Sequence, residues 1–226
     1  MKIRFALLAF FLLTSQANAT PPMYTITDLG TLGGIQSHGS GINASGTVTG
    51  DAATSGSNPS HAFLYDGTMH DLGTLGGTSS IGRGINASGQ VTGGASTTNN
   101  FIQHAFLYDG TMHDLGTLGG ADSDGYGINA SGQITGYSET TGNAASDAFL
   151  YENSQMFDLN SLIPPSSGWV LEQGNGINDL GQITGYGTVG GQTHAFLLTP
   201  VPEPSTFLLA SLAFPAVFFF LRRRLA

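Results

Sequence analysis

Four positions in this chain bring chemistry-bearing side chains into register. The element His-Ala-Phe-Leu occurs at His61, His104 and His194, and Asp147-Ala-Phe-Leu stands in the same place in a further copy. A second set, Asp28, Asp71, Asp114 and Asp158, recurs in the dipeptide Asp-Leu. Imidazoles or carboxylates arranged around one axis hold a divalent metal. The competing structural reading is that aspartates beside turns accept backbone N–H bonds and that histidines at strand starts do something similar. Asp122-Ser123-Asp124-Gly125 has the spacing that begins a calcium loop, which makes Asp122 and Asp124 candidate Ca2+ ligands, but the later acidic ligand of an EF-hand is missing. The single tryptophan, Trp169, lies in a departure from the repeat, and an indole stacks well on a sugar ring, so it is the candidate carbohydrate contact. It serves equally as an anchor for a longer loop.

Catalytic patterns are missing. The chain has no H-E-x-x-H, no G-x-S-x-G and no cysteine nucleophile. Gly185-Tyr186-Gly187-Thr188-Val189-Gly190 fits G-x-G-x-x-G, yet a helix must come next for its N-terminus to hold a phosphate, and residues 194–198 read as a strand. The acidic residues recur with the repeat, whereas an active site is usually asymmetric. The expectation is a non-enzymatic protein with no obligatory cofactor.

The elements that position these residues come from an internal repeat. Residues 61–77 recur letter for letter at 104–120, and Gly-Ile-Asn appears at 41, 84, 127 and 176. Each unit reads as four short strands separated by glycine-bearing turns; in the second unit these are 84–86, 90–93, 105–108 and 112–115. Ala-Phe-Leu-Tyr is a continuous apolar run, the mark of a strand covered on both faces. A four-stranded unit of about 43 residues covered by its neighbours is a propeller blade, and equivalent blades impose equivalent packing. Residues 24–30 resemble only the last quarter of a unit and residues 194–198 only the third. The fold expected is therefore all-β: a four-bladed β-propeller-like ring closed by pairing of the N- and C-terminal strands, leaving few exposed edges.

Two apolar helical segments flank this body. Residues 1–19 carry Lys2 and Arg4, an apolar run and Ala17-Asn18-Ala19, which reads as a signal peptide. Residues 201–226 hold an uncharged segment, 207–221, followed by Arg222, Arg223 and Arg224. Fifteen helical residues reach about 22 Å, short of a ~30 Å hydrocarbon core, so a span there needs its flanks, with the arginines on the cytoplasmic side. The body, 20–200, contains all 34 glycines, fourteen carboxylates and one cation, Arg83. That charge disfavours nucleic acid and anionic membrane surfaces as partners.

The tail resembles the PEP-CTERM sorting signal of Gram-negative bacteria in three parts: the stretch around Pro202, Glu203 and Pro204, the apolar segment and the terminal arginines. The resemblance implies recognition of Pro202, Glu203 and Pro204 by an exosortase, with Arg222, Arg223 and Arg224 as the stop. It further implies organisms that make exopolysaccharide and biofilm matrix. The body is similar to the HAF family of extracellular repeats, through His-Ala-Phe, Asp-Leu-Gly-Thr-Leu-Gly-Gly and Gly-Ile-Asn; Asp147 and Asp158-Leu159-Asn160 depart from its pattern. The combined expectation is an exported surface or matrix protein, held transiently or stably in the inner membrane by its tail, with exosortase and exopolysaccharide or other envelope components as partners. The alternative is a carbohydrate- or divalent-cation-binding module.

Overall fold

The computed structural model describes residues 23–55 and 59–201. The expected signal peptide, 1–19, and the apolar segment 207–221 lie outside the described residues, and no helix among the described residues is long and apolar enough to cross a membrane. The body is all-β, with four antiparallel sheets in chain order. The first holds β1 (Gly33–Ile42), β2 (Val48–Thr54), β3 (Ser60–Tyr65) and β4 (Met69–Asp71). The second holds β5 (Gly76–Ile85), β6 (Val91–Thr97), β7 (Gln103–Tyr108) and β8 (Met112–Asp114). The third holds β9 (Gly119–Ile128), β10 (Ile134–Thr140), β11 (Ser146–Glu152) and β12 (Gln155–Asp158), and the fourth only β13 (Trp169–Ile177), β14 (Ile183–Val189) and β15 (Gln192–Leu198).

Local chemistry fixes each hairpin. In the β5–β6 turn the Asn86 side-chain oxygen accepts from the Ser88 and Gln90 amides at 3.0 Å each. Gly89 there has φ +81°, a conformation glycine adopts without steric cost. The next strand carries a threonine whose hydroxyl donates to the phenylalanine carbonyl opposite: Thr49 to Phe63, Thr92 to Phe106 and Thr135 to Phe149, at 2.7–2.8 Å. All six of these residues are buried. Burying each phenylalanine contributes about 1.5–3 kcal/mol.

Sheets share their cores. Ala62 and Leu72 of the first unit pack with Val91, Ala95 and Phe106 of the second. Ala105 and Leu115 pack with Ile128, Ile134 and Phe149, and Ala148 and Leu159 pack with Leu171, Ile183 and Phe196. These three clusters each span two neighbouring sheets, as the repeat implied, and Ala52, Ala53 and Phe63 of the first sheet are buried outside them. The first strand of each sheet is longer than sequence suggests: β5 starts at Gly76, eight residues before Gly84. Its glycine-rich half has weak strand character but lies where sheets approach closely. A methyl group on Gly82 would strike the Thr49 hydroxyl, one on Gly125 that of Thr92, and one on Gly174 that of Thr135. Register shifts at Gly39/Gly41, Gly82/Gly84 and Gly174/Gly176 are β-bulges that accommodate these strands.

The expected ring closure is corrected. Residues 24–30 belong to no sheet, Ile26 is 98% exposed, and the fourth sheet stays three-stranded. Three apolar clusters join four sheets in series, and among the described residues none joins the last to the first. The physical reason lies in connectivity. Each fourth strand is joined by a continuous connection to the first strand of the next sheet, a few residues long after β4 and β8 and longer after β12, whereas residues 24–30 are tethered to the fourth sheet by nothing. Ordering them costs roughly 1–2 kcal/mol per residue, with one strand's pairing as the return.

Candidate functional site

The third and fourth sheets differ from the first two at their junction. In the first sheet His61 Nδ1 sits 2.9 Å from the Asp71 carboxylate, and in the second His104 Nδ1 sits 2.9 Å from that of Asp114. The recurring imidazoles thus meet the recurring aspartates within their own sheets instead of on a common axis. In the third sheet Asp147 replaces the histidine. Burial raises its carboxyl above the usual range, and the charges of Asp158 and Glu172 push the same way. One exchange replaces a histidine–carboxylate hydrogen bond with facing carboxylates.

That site opens into a cleft of about 540 Å³ between the two sheets. Asp122 comes from β9, Tyr137 and Glu139 from β10, Asp147 from β11, Glu172 and Gln173 from β13 and Tyr186 from β14. The Tyr137 hydroxyl is pushed up to about 12, first by burial and then by Asp124 and Tyr126, so it stays a neutral donor. Tyr186 donates to the Gln173 side-chain oxygen at 3.3 Å, and the Thr188 hydroxyl donates to Glu172. Carboxylates, phenols and an amide around one cleft suit a hydroxyl-rich ligand or a hydrated cation.

The Asp-Ser-Asp-Gly pair is divided. Asp122 lines the cleft and accepts the Gln103 amide at 2.8 Å. Asp124, 1% exposed, is held by Arg83, whose Nη2 and Nε lie 2.7 and 2.8 Å from Oδ2. Asp124 Oδ1 is buried with no hydrogen-bond partner among the described residues. Burial raises the Asp124 carboxyl despite the guanidinium, and the attraction of Asp124 raises Arg83 against its own burial. The Arg83 guanidinium carbon also sits 4.7 Å from the centre of the Tyr126 ring, a cation–π contact. Among the described residues no group of three or more His, Asp or Glu side chains is arranged to hold a metal.

Trp169 stands apart from the acidic cleft. It lines a smaller pocket of about 290 Å³ with Ile163, Pro164 and Phe196, and meets Phe196 edge to face at 6.4 Å. Half-buried, it fastens the inserted loop to β15. Pro202, Glu203, Pro204, Arg222, Arg223 and Arg224 lie outside the described residues. The glycine-rich stretch 185–190 begins on β14 and runs into the turn before β15, so a strand and not a helix follows it. Tyr137, Glu172 and the pairing of Arg83 with Asp124 are not legible as a site; the signals are that Arg83 is the only Lys or Arg of the body and that Asp124 stands in Asp-Ser-Asp-Gly.

Comparison with known proteins adds one finding. Residues 200–224 match the model of the PEP-CTERM protein-sorting motif. No curated protein and no solved structure matches the chain. Fold and terminus together define an all-β body attached to a sorting tail. The motif implies an exported protein directed to the cell envelope or surface and processed by an exosortase.

Proposed function

We propose that this is a non-enzymatic surface or biofilm-matrix protein of a Gram-negative bacterium, built from HAF-type repeats. Its tail holds it in the inner membrane until an exosortase reads Pro202, Glu203 and Pro204, with Arg222, Arg223 and Arg224 retained on the cytoplasmic side. The observation that carries the reading is the sorting motif at residues 200–224. The strongly acidic, cysteine-free body agrees with it: such a body needs no disulfide and repels nucleic acid and anionic surfaces. Mass spectrometry of the protein recovered from its native host tests the proposal. Masses ending near residue 200 support processing, and an intact C-terminus after maturation overturns it.

A second reading is favoured by the exchange of histidine for Asp147 and the acidic cleft around it: the body binds exopolysaccharide hydroxyls or a divalent cation such as Ca2+ there. A ligand bound only by the folded state raises the melting temperature. Calcium titration followed by thermal unfolding separates the cation version from the purely structural one. Glycan binding lost in Trp169→Ala would instead place the sugar at the smaller pocket.

A further inference from the structure

The two ends of the stack are unfinished in matching ways. On the fourth sheet Ala195 is exposed, while its counterparts Ala62, Ala105 and Ala148 are fully buried. Thr184 is exposed where Thr49, Thr92 and Thr135 are buried, and Leu197 is 66% exposed. On the first sheet Val48 is only partly buried where Val91, Ile134 and Ile183 are buried. Among the described residues Gly39 meets nothing but Val48 of its own sheet, whereas its counterparts Gly82, Gly125 and Gly174 each receive a threonine.

The polar groups are unfinished in the same sense. A ladder of side-chain amides ties each hairpin to the next: Asn43 Nδ2 donates to the Asn86 carbonyl at 3.1 Å, Asn86 to that of Asn129 at 3.0 Å, and Asn129 to that of Asn178 at 3.1 Å. Among the described residues Asn178 Nδ2 reaches only Gln182 of its own turn, at 2.8 Å. The Ser123 hydroxyl donates to the Gly116 carbonyl at 2.6 Å and accepts the Ala105 amide at 2.8 Å, and Ser80 bridges Gly73 and Ala62 in the same way. Ser37 already donates to Gly30 at 2.7 Å, and the amide its pattern calls for is that of Ala195.

We infer that the protein assembles head to tail: residues 24–30 and the β1 face of one copy complete the three-stranded fourth sheet of a second copy. The missing strand has the sequence of the strands it would imitate, Ile26-Thr27-Asp28-Leu29-Gly30 against Met69-His70-Asp71-Leu72-Gly73. Seated beside β15, Asp28 meets His194 as Asp71 meets His61, and the Leu29 amide donates to Ala195 as the Leu72 amide donates to Ala62 at 2.9 Å. Thr184 fills the space at Gly39, and Asn178 extends the ladder to Asn43. Since the ends of one chain do not meet, both faces are left to a second copy, and the join continues the interface already built three times within each chain. Such a contact is heterologous, so it propagates into filaments unless the rotation closes a ring. The acidic body opposes it, so association strengthens with salt.

The chain has no cysteine, so introduced thiols react only with one another. Tyr65 pairs with Met69 in the first sheet, which makes Leu198 and Ile26 the corresponding pair at the join. The full chain carrying Ile26→Cys and the full chain carrying Leu198→Cys are extracted in mild detergent, mixed and oxidised. A disulfide mapped between residue 26 of one variant and residue 198 of the other is the expected result. Sedimentation of the unsubstituted chain should show species larger than the monomer that grow with concentration and salt. Ala195→Asp, at a position exposed in the single chain, should abolish them while leaving the melting temperature of the dilute protein unchanged. A chain carrying both cysteines that closes on itself as a monomer, or a protein monomeric at every concentration with no mixed disulfide, overturns the inference.

Discussion

The Arg83 guanidinium of the second sheet and the Asp124 carboxylate of the third meet at 2.7 Å across the sheet interface, with the carboxylate almost wholly buried. Arg83→Met leaves that carboxylate without its counterion, an arrangement that costs about 3–5 kcal/mol when one partner of a buried pair is removed. Replacing both, as Arg83→Met with Asp124→Leu, should recover most of the loss or exceed the parent. Burial already holds the Asp124 carboxyl above its usual range, and losing Arg83 raises it further. A carboxyl raised in the folded state favours folding at low pH, so the single variant's deficit is greatest at neutral pH. It shrinks as pH falls through that raised value. Chemical denaturation at neutral and acidic pH checks both points.

Asp147 makes the opposite sort of test, because it stands where its counterparts are histidines and therefore faces Asp158 as one carboxylate faces another. Its carboxyl is raised by burial and then by Asp158 and Glu172. Its ionised form is therefore disfavoured by folding, and this penalty is present above the folded-state value and relieved as pH falls. Asp147→Asn should raise the melting temperature at neutral pH and leave it unchanged at a pH where the parent is already protonated. If calcium occupies the cleft, the variant also loses any calcium-dependent rise.

Repetition decides how much of this structure is legible in the sequence. Hairpins are legible because Asn-Ala-Ser-Gly and Asp-Gly are local turn chemistry, and shared cores because Ala-Phe-Leu is apolar on both faces. The glycine-rich half of β5 is not legible, since its strand state depends on the close approach of Thr49 from another sheet. The expectation of closure fails for a related reason. Matching quarters at the two ends establish that residues 24–30 suit β15 but not that one chain brings them together. The acidic cleft is hidden because Tyr137, Asp147 and Glu172 come from three strands of two sheets.

Close sheet approach predicts a coupled pair. Gly82→Ala drives a methyl group into the Thr49 hydroxyl, and overpacking of this kind typically costs about 1–3 kcal/mol. Thr49→Ala by itself removes the bond to the Phe63 carbonyl and leaves that buried acceptor short of a partner. Combined, the two changes should cost less than their sum, because the methyl then occupies the space the hydroxyl vacated. A double-mutant cycle on urea unfolding measures the coupling, and strict additivity would mean that the sheets do not touch here.

The amide ladder separates hairpin formation from sheet stacking. Asn86 uses its oxygen locally, accepting from Ser88 and Gln90, and its nitrogen across the interface, donating to the Asn129 carbonyl of the third unit. Asn86→Asp keeps the acceptors that shape the turn but cannot donate, and it sets a charge against a carbonyl in a buried place. Asn86→Ala loses both roles. Stacking dominates if Asn86→Asp is at least as damaging as Asn86→Ala, whereas a nearly silent Asn86→Asp would confine the residue's contribution to its own turn. The ladder's geometry favours the first outcome, because Asn86 is buried and a carboxylate there faces the Asn129 carbonyl, which keeps only the Gly132 amide of its own turn. Amide exchange at Gln133, whose amide donates to the Asn129 side chain in the neighbouring turn, provides a local reading. It should accelerate in Asn86→Asp if the damage crosses the interface and remain at the parent rate if it does not.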